Sequence, residues 1–103
     1  MFLAKITGSV VATQKVASMT GRKLLTVEPM RVDLAQKDKL VSTGRTFVAV
    51  DTVGAGVGEM VLIVQGSSAR MTTETEKLPV DATVVGIVDS VNIENKTVFS
   101  AHA

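Results

Sequence analysis

Six short runs rich in β-branched residues, each cut off by a glycine or a polar turn, limit what this chain can fold into. Val, Ile and Thr are stiff at χ1 and pack well on a pleated surface, so such runs favour strands over helices. The first spans roughly residues 2–11, and its alternation shifts phase at Gly8, which predicts a bulge there. A turn at Thr20-Gly21-Arg22 leads into a second strand over 23–32, with Leu25 and Val27 on one face. Pro29 has no N–H to give a ladder and fits an edge or a bulge of that strand. A third strand covers 46–53, with Phe47, Ala49 and Asp51 facing one way and Val48, Val50 and Thr52 the other. Residues 60–64 are apolar on both faces, which predicts a central strand buried on both sides. Residues 82–91 make another strand. After a turn at 92–96, residues 97–100 make a short closing edge strand. The polar stretch 33–44 reads as a solvated loop. Residues 68–78 fit one short helix, stopped by Pro79.

Five or six short strands with frequent glycine turns predict an all-β sandwich or small barrel, in one domain over residues 1–103. A domain of this size buries a smaller fraction of its surface than a large one. Yet 46% of the residues are hydrophobic and the mean hydropathy is +0.34. Some of that apolar surface must lie near the outside, and exposed apolar patches mark association surfaces. Oligomerisation is therefore expected before any motif is read.

The same composition excludes several functions. Eleven basic residues against ten acidic ones give a net charge of +1, no footprint for a phosphate backbone. With no cysteine, the chain has no disulfide framework, thiolate metal site or cysteine nucleophile. The start Met1-Phe2-Leu3-Ala4-Lys5 runs straight into strand-like sequence without the pattern of a signal peptide. Every apolar run falls far short of the roughly 20 residues a bilayer demands. A cytoplasmic protein that contacts no membrane is the expectation.

Residues 54–59 read Gly-Ala-Gly-Val-Gly-Glu and invite comparison with a dinucleotide fingerprint. The third fingerprint glycine would fall at Glu59, and a strand follows where a helix N-terminus should hold the pyrophosphate. The only histidine, His102, lies next to the last residue, a poor place for a positioned general base. Ser67 and Ser68 stand in Gly-Ser-Ser-Ala-Arg, which lacks the second glycine of a nucleophile elbow. Asp51, Glu59, Asp81 and Asp89 fall at strand ends or turns, with no spacing that makes them converge. No catalytic residue, cofactor or metal ligand is expected. A second reading is a barrel that binds nucleic acid or a small ligand. It requires a basic groove with aromatic platforms, whereas Phe2, Phe47 and Phe99 are few and Arg22, Arg31, Arg45 and Arg70 are scattered among acids.

Three ordered segments resemble one family. They are Gly8-Ser9-Val10-Val11-Ala12-Thr13-Gln14-Lys15 with Gly21-Arg22-Lys23-Leu24-Leu25; the stretch 48–62 with Gly66-Ser67-Ser68-Ala69-Arg70; and Pro79-Val80-Asp81-Ala82 with residues 84–89. Together they are similar to the bacterial microcompartment vertex proteins of the EutN/CcmL type. The resemblance implies an OB-like β-barrel that forms a homopentamer at the five-fold vertices of a cytoplasmic protein shell, beside hexameric facet shell proteins. A closed heterologous ring hides apolar surface, because each subunit offers one patch to a different patch of its neighbour. Within that frame, Gly54, Gly56, Gly58, Gly66, Ser67, Ser68 and Arg70 are the candidate pore or subunit-interface residues. The glycines let the backbone turn where a Cβ would clash, the serines suit crowding near an axis, and Arg70 offers a charge across the boundary. Residues 33–44 and 98–103 fall outside the resemblance.

Overall fold

The computed structural model describes residues 1–13, 15–33, 35–36, 39–76 and 80–101. Pro79, His102 and Gln14, which entered the sequence reading, lie outside the described residues, as do parts of the 33–44 segment and the end of the tail.

Eight strands form: β1 (Phe2–Val10), β2 (Leu24–Val32), β3 (Leu40–Ser42), β4 (Phe47–Asp51), β5 (Met60–Gln65), β6 (Ala82–Ile87), β7 (Ser90–Ile93) and β8 (Lys96–Ser100). Five of them close a ring in the order β1-β2-β4-β6-β5 and back to β1. All pairings in the ring are antiparallel except β4 with β6. That order with one parallel pair is the topology of an OB-type barrel. The expected barrel is therefore present.

The barrel is filled by the inward members of each alternation. Ala4 and Ile6 of β1, Leu25 and Val27 of β2, Ala49 of β4, Val61 and Ile63 of β5, and Ala82 and Val84 of β6 make one buried cluster. Small alanines facing larger Ile, Leu and Val fill the narrow interior. Val50 points the other way and joins Val80, Met19 and Leu24 in a second cluster on the outside of the wall.

The register of β1 against β2 slips between Ile6 and Gly8, where a bulge was expected. A Cβ at Gly8 would sit 3.0 Å from Thr26 Oγ1. Pro29 lies where β2 changes partner, from β4 at Val27 to β3 at Met30. Its carbonyl accepts the N–H and the hydroxyl of Thr43, at 3.0 and 2.8 Å. Its missing N–H therefore falls in the gap between two ladders.

Four expectations need correction. The solvated loop at 33–44 contains β3, a three-residue edge strand paired with Met30 to Val32. In place of the helix expected over 68–78, the described residues form a 3-10 turn at Gly66–Arg70 and a hydrogen-bonded turn over 72–76, and residues 77–78 lie outside the described ones. There the Thr72 hydroxyl accepts the Thr75 N–H at 3.1 Å, and the buried Thr75 hydroxyl shares a 2.6 Å bond with it. The first of these is the bond an N-cap threonine makes, and the Thr72 carbonyl accepts the Glu76 N–H at 3.0 Å. The single strand over 82–91 is broken at Val88 and Asp89 into β6 and β7. Finally, β8 closes nothing. It pairs with β7 alone, in a hairpin turned by Glu94 and Asn95, both with positive φ. The molecule measures 45 × 24 × 23 Å, longer in one direction than a barrel alone requires.

Candidate functional site

The glycine-rich loop after β4 is organised by one carboxylate. The Asp51 side chain is 2% exposed. Its Oδ1 accepts the Val53 N–H and its Oδ2 the Ala55 N–H, each at 3.0 Å. The bond two residues on is an Asx-turn, which bends the chain out of the strand. Lys23 Nζ lies 3.5 Å from Asp51 Oδ2 and donates to the Ala55 carbonyl at 2.6 Å. Ala55 is thereby held in the core with no exposed surface.

Glu59 secures the other end of the loop. Its Oε1 accepts the Gly56 N–H at 2.6 Å, while its own N–H donates to the Gly56 carbonyl at 3.1 Å. Gly58 and Glu59 then bond to Ile6 of β1 through the backbone, at 2.8 and 3.0 Å. Both carboxylates thus act on the loop's own backbone. What the loop turns outward is apolar: Val57 is 68% exposed and Val53 39%.

The glycines do not all serve the same purpose. Gly54 has φ +78° and Gly58 φ +91°, in the left-handed region that other L-residues rarely enter. Gly56 is not in that region, and a Cβ there would meet only the end of the Glu59 side chain, at 3.3 Å. Gly58→Val is accordingly expected to destabilise the chain by about 1–3 kcal/mol, because a β-branched residue at positive φ is strained. Gly56→Ala is expected to cost less than half of that. Urea titrations of the two variants at one protein concentration check it; equal losses would remove the conformational argument.

A second cluster lies at the far end of β5. Gly66, with φ +67°, opens the 3-10 turn, and its N–H bonds the Asp81 carbonyl at 2.8 Å. Ala69 is fully buried, and its carbonyl accepts the Thr83 hydroxyl at 2.7 Å. Arg70 Nη1 donates to the Val80 carbonyl at 2.9 Å. The turn is thus tied to the strand that returns into β6, while Ser67 and Ser68 are exposed.

The predicted residues therefore fall into two groups, Gly54, Gly56 and Gly58 at the Met60 end of β5 and Gly66 to Arg70 at its Gln65 end. Lys23 and Asp51 were not foreseen as the loop's clamp, because they are distant in sequence. Nor was the apolar exposure of Val48, at 48% on the outer face of β4, although a valine in a polar-facing register is a legible signal. The aromatics do not form a stacking platform. Phe2 and Phe47 pack on the core with ring centroids 6.2 Å apart, and the Arg45 guanidinium covers the Phe47 ring at 4.9 Å.

A closed barrel whose loop carboxylates bind its own backbone, and whose loops turn valines outward, defines an assembly module. The family described as ethanolamine utilisation protein EutN/carboxysome matches residues 1–89, and the chain belongs to it. The chain is 47% identical over 95 residues to the bacterial microcompartment shell vertex protein GrpN of Rhodospirillum rubrum, covering 92% of this chain and all of that one. It is 48% identical to the vertex protein PduN of Salmonella typhimurium, covering 89% and 99%. The structure of Gloeobacter violaceus CcmL superposes over the full length of both chains with a TM-score of 0.86 and 39% identity. The structure of GrpN, described as a pentameric microcompartment shell protein, superposes with a TM-score of 0.74 and 46% identity over 92% of this chain and all of that one.

Proposed function

We propose that this chain is a structural subunit of a bacterial microcompartment shell, assembling into homopentamers that cap the vertices and meet hexameric facet shell proteins along the rim. The observation that carries the reading is the near full-length match to proteins named as shell vertex proteins, one of them solved as a pentamer. Six-fold tiles alone lie flat, and a five-fold tile inserted among them curves the layer towards closure.

The local geometry supports the same role and not an enzyme. Asp51 and Glu59 hold backbone N–H groups, and the exposed side chains beside them are Val53 and Val57. Gly54, Gly56, Gly58 and Arg70 belong to the subunit boundary in this reading. Gly66, Ser67 and Ser68 approach the five-fold axis, where small side chains tolerate crowding. The ring needs neither metal nor cofactor.

Native mass spectrometry of the purified chain tests the reading. The expected mass is about 54 kDa, five times the 10.8 kDa chain. A species of 10.8 kDa that persists at high concentration would overturn it.

A further inference from the structure

The β7–β8 hairpin stands apart from the barrel. It begins at Ser90, just past the end of the family match at residue 89. Among the described residues its strands form a sheet of their own, β7 against β8. A lone two-stranded hairpin is marginal in water and needs a surface to lie on. This one has a face suited to that. Val91 pairs with Phe99 and Ile93 with Lys96 on one side, while Ser90, Ser100, Asn92 and Thr97 occupy the other. On the polar side the Thr97 hydroxyl bonds Asn92 Oδ1 at 2.8 Å. At its root, Phe99 shares a cleft with Met60 and Ile87 of the barrel, and Val91 and Ile93 are half-buried.

The barrel wall has a matching gap. β4 pairs with β6 only at Val50 and Asp51, so Phe47, Val48 and Ala49 have β2 on one side and an open slot on the other. Two clefts, of about 490 and 210 Å³, share Val48, Asp81 and Ala82 in their linings. Leu24, Met19 and Val80 form the apolar floor of the smaller one, and Asp81 puts an acid at the rim.

We propose that the hairpin is an exchanged arm, and that its apolar face seats in the β4–β6 slot of the next copy around the ring. The inference rests on the pentamer reading above. Within one chain the arm's root and the slot lie at opposite ends of β6. The slot lies at the Ala82 end of β6 and the arm departs from the Ile87 end, about 17 Å away at the rise of a strand. A closed ring requires two unlike, complementary patches on every subunit, and an arm and a slot are such a pair. Ile93 then covers Val48, and Lys96, on the same face, comes to Asp81.

Because the chain has no cysteine, the contact can be read directly. In the full chain, Val48→Cys with Ile93→Cys is expected to give, on oxidation, a non-reducing denaturing ladder that ends at five linked chains. Each single-cysteine variant is expected to give at most a pair. Monomer bands alone from a double variant whose native mass is still that of the ring would overturn the arm while leaving the pentamer standing. Ile93→Asp and Val48→Asp are each expected to raise the concentration of half-dissociation at least tenfold. A ring with unchanged concentration dependence in both variants would overturn the proposal as well. A wild-type chain that never exceeds one subunit in mass would instead remove the reading beneath it.

Discussion

Ile63→Ala is expected to destabilise the chain by about 3–4 kcal/mol, near the middle to top of the range for deleting a large buried aliphatic side chain. Ile63 has no exposed surface and lies on β5, between β1 and β6. The size of the loss depends on how far the surroundings collapse into the space left behind. Here they collapse little, because β5 is fixed by ladder hydrogen bonds on both edges, to β1 and to β6. Ala4, Ala49, Ala55 and Ala82, which share the interior, have no side chain to swing inward. The measurement is the urea midpoint at a fixed protein concentration, since ring formation makes stability depend on concentration. A loss below about 1 kcal/mol would mean that the barrel wall is far softer than its pairing implies.

The second large effect is at Asp51. Asp51→Ala is expected to cost about 2–3 kcal/mol, because it strands the N–H of fully buried Ala55 and loosens that of Val53. Lys23 contributes less, as its side chain is 52% exposed and returns to water when the partner is gone. Asp51→Asn keeps one acceptor oxygen and is expected to recover part of the loss. Circular dichroism during urea unfolding separates the three proteins. The outcome that would sink the assignment is an Asp51→Ala protein as stable as wild type. Since this carboxylate shapes the loop that turns Val53 and Val57 outward, its removal is also expected to weaken the ring beyond the loss in folding.

The parts of the fold legible in the sequence were those set by local pattern. Alternation located β1, β2 and β4, an unbroken apolar run located β5, and the phase change at Gly8 gave away the bulge. β3 was hidden because Leu40-Val41-Ser42 is too short to show a period inside a polar stretch. The β6–β7 break was hidden for the opposite reason, as apolar alternation runs on through Val88 while the backbone turns away. The turn over 72–76 carries the bonds of a helix start, with the Thr72 hydroxyl accepting the Thr75 N–H and the Thr72 carbonyl the Glu76 N–H, so its sequence reads as a helix N-terminus. At the candidate site, the sequence singled out Gly54, Gly56 and Gly58 as a group. It did not separate left-handed Gly54 and Gly58 from ordinary Gly56, because φ is set by the Asp51 and Glu59 hydrogen bonds and not by the glycines themselves.

The two-residue parallel seam between β4 and β6 has a further consequence, for kinetics. Every other junction in the barrel is zipped by four to six residue pairs, whereas this one joins Val50 and Asp51 to Thr83 and Val84 across more than thirty residues of chain. Such a contact pays a substantial loop-closure entropy for the fewest bonds of any junction in the barrel, so it forms late in folding and opens first in the native state. The Thr52 hydroxyl, bonded to the Val84 carbonyl at 2.7 Å, is the latch on that seam. A newly made subunit is therefore an open curl before it is a tube, and the moment of latching sets when it becomes competent to meet its neighbours.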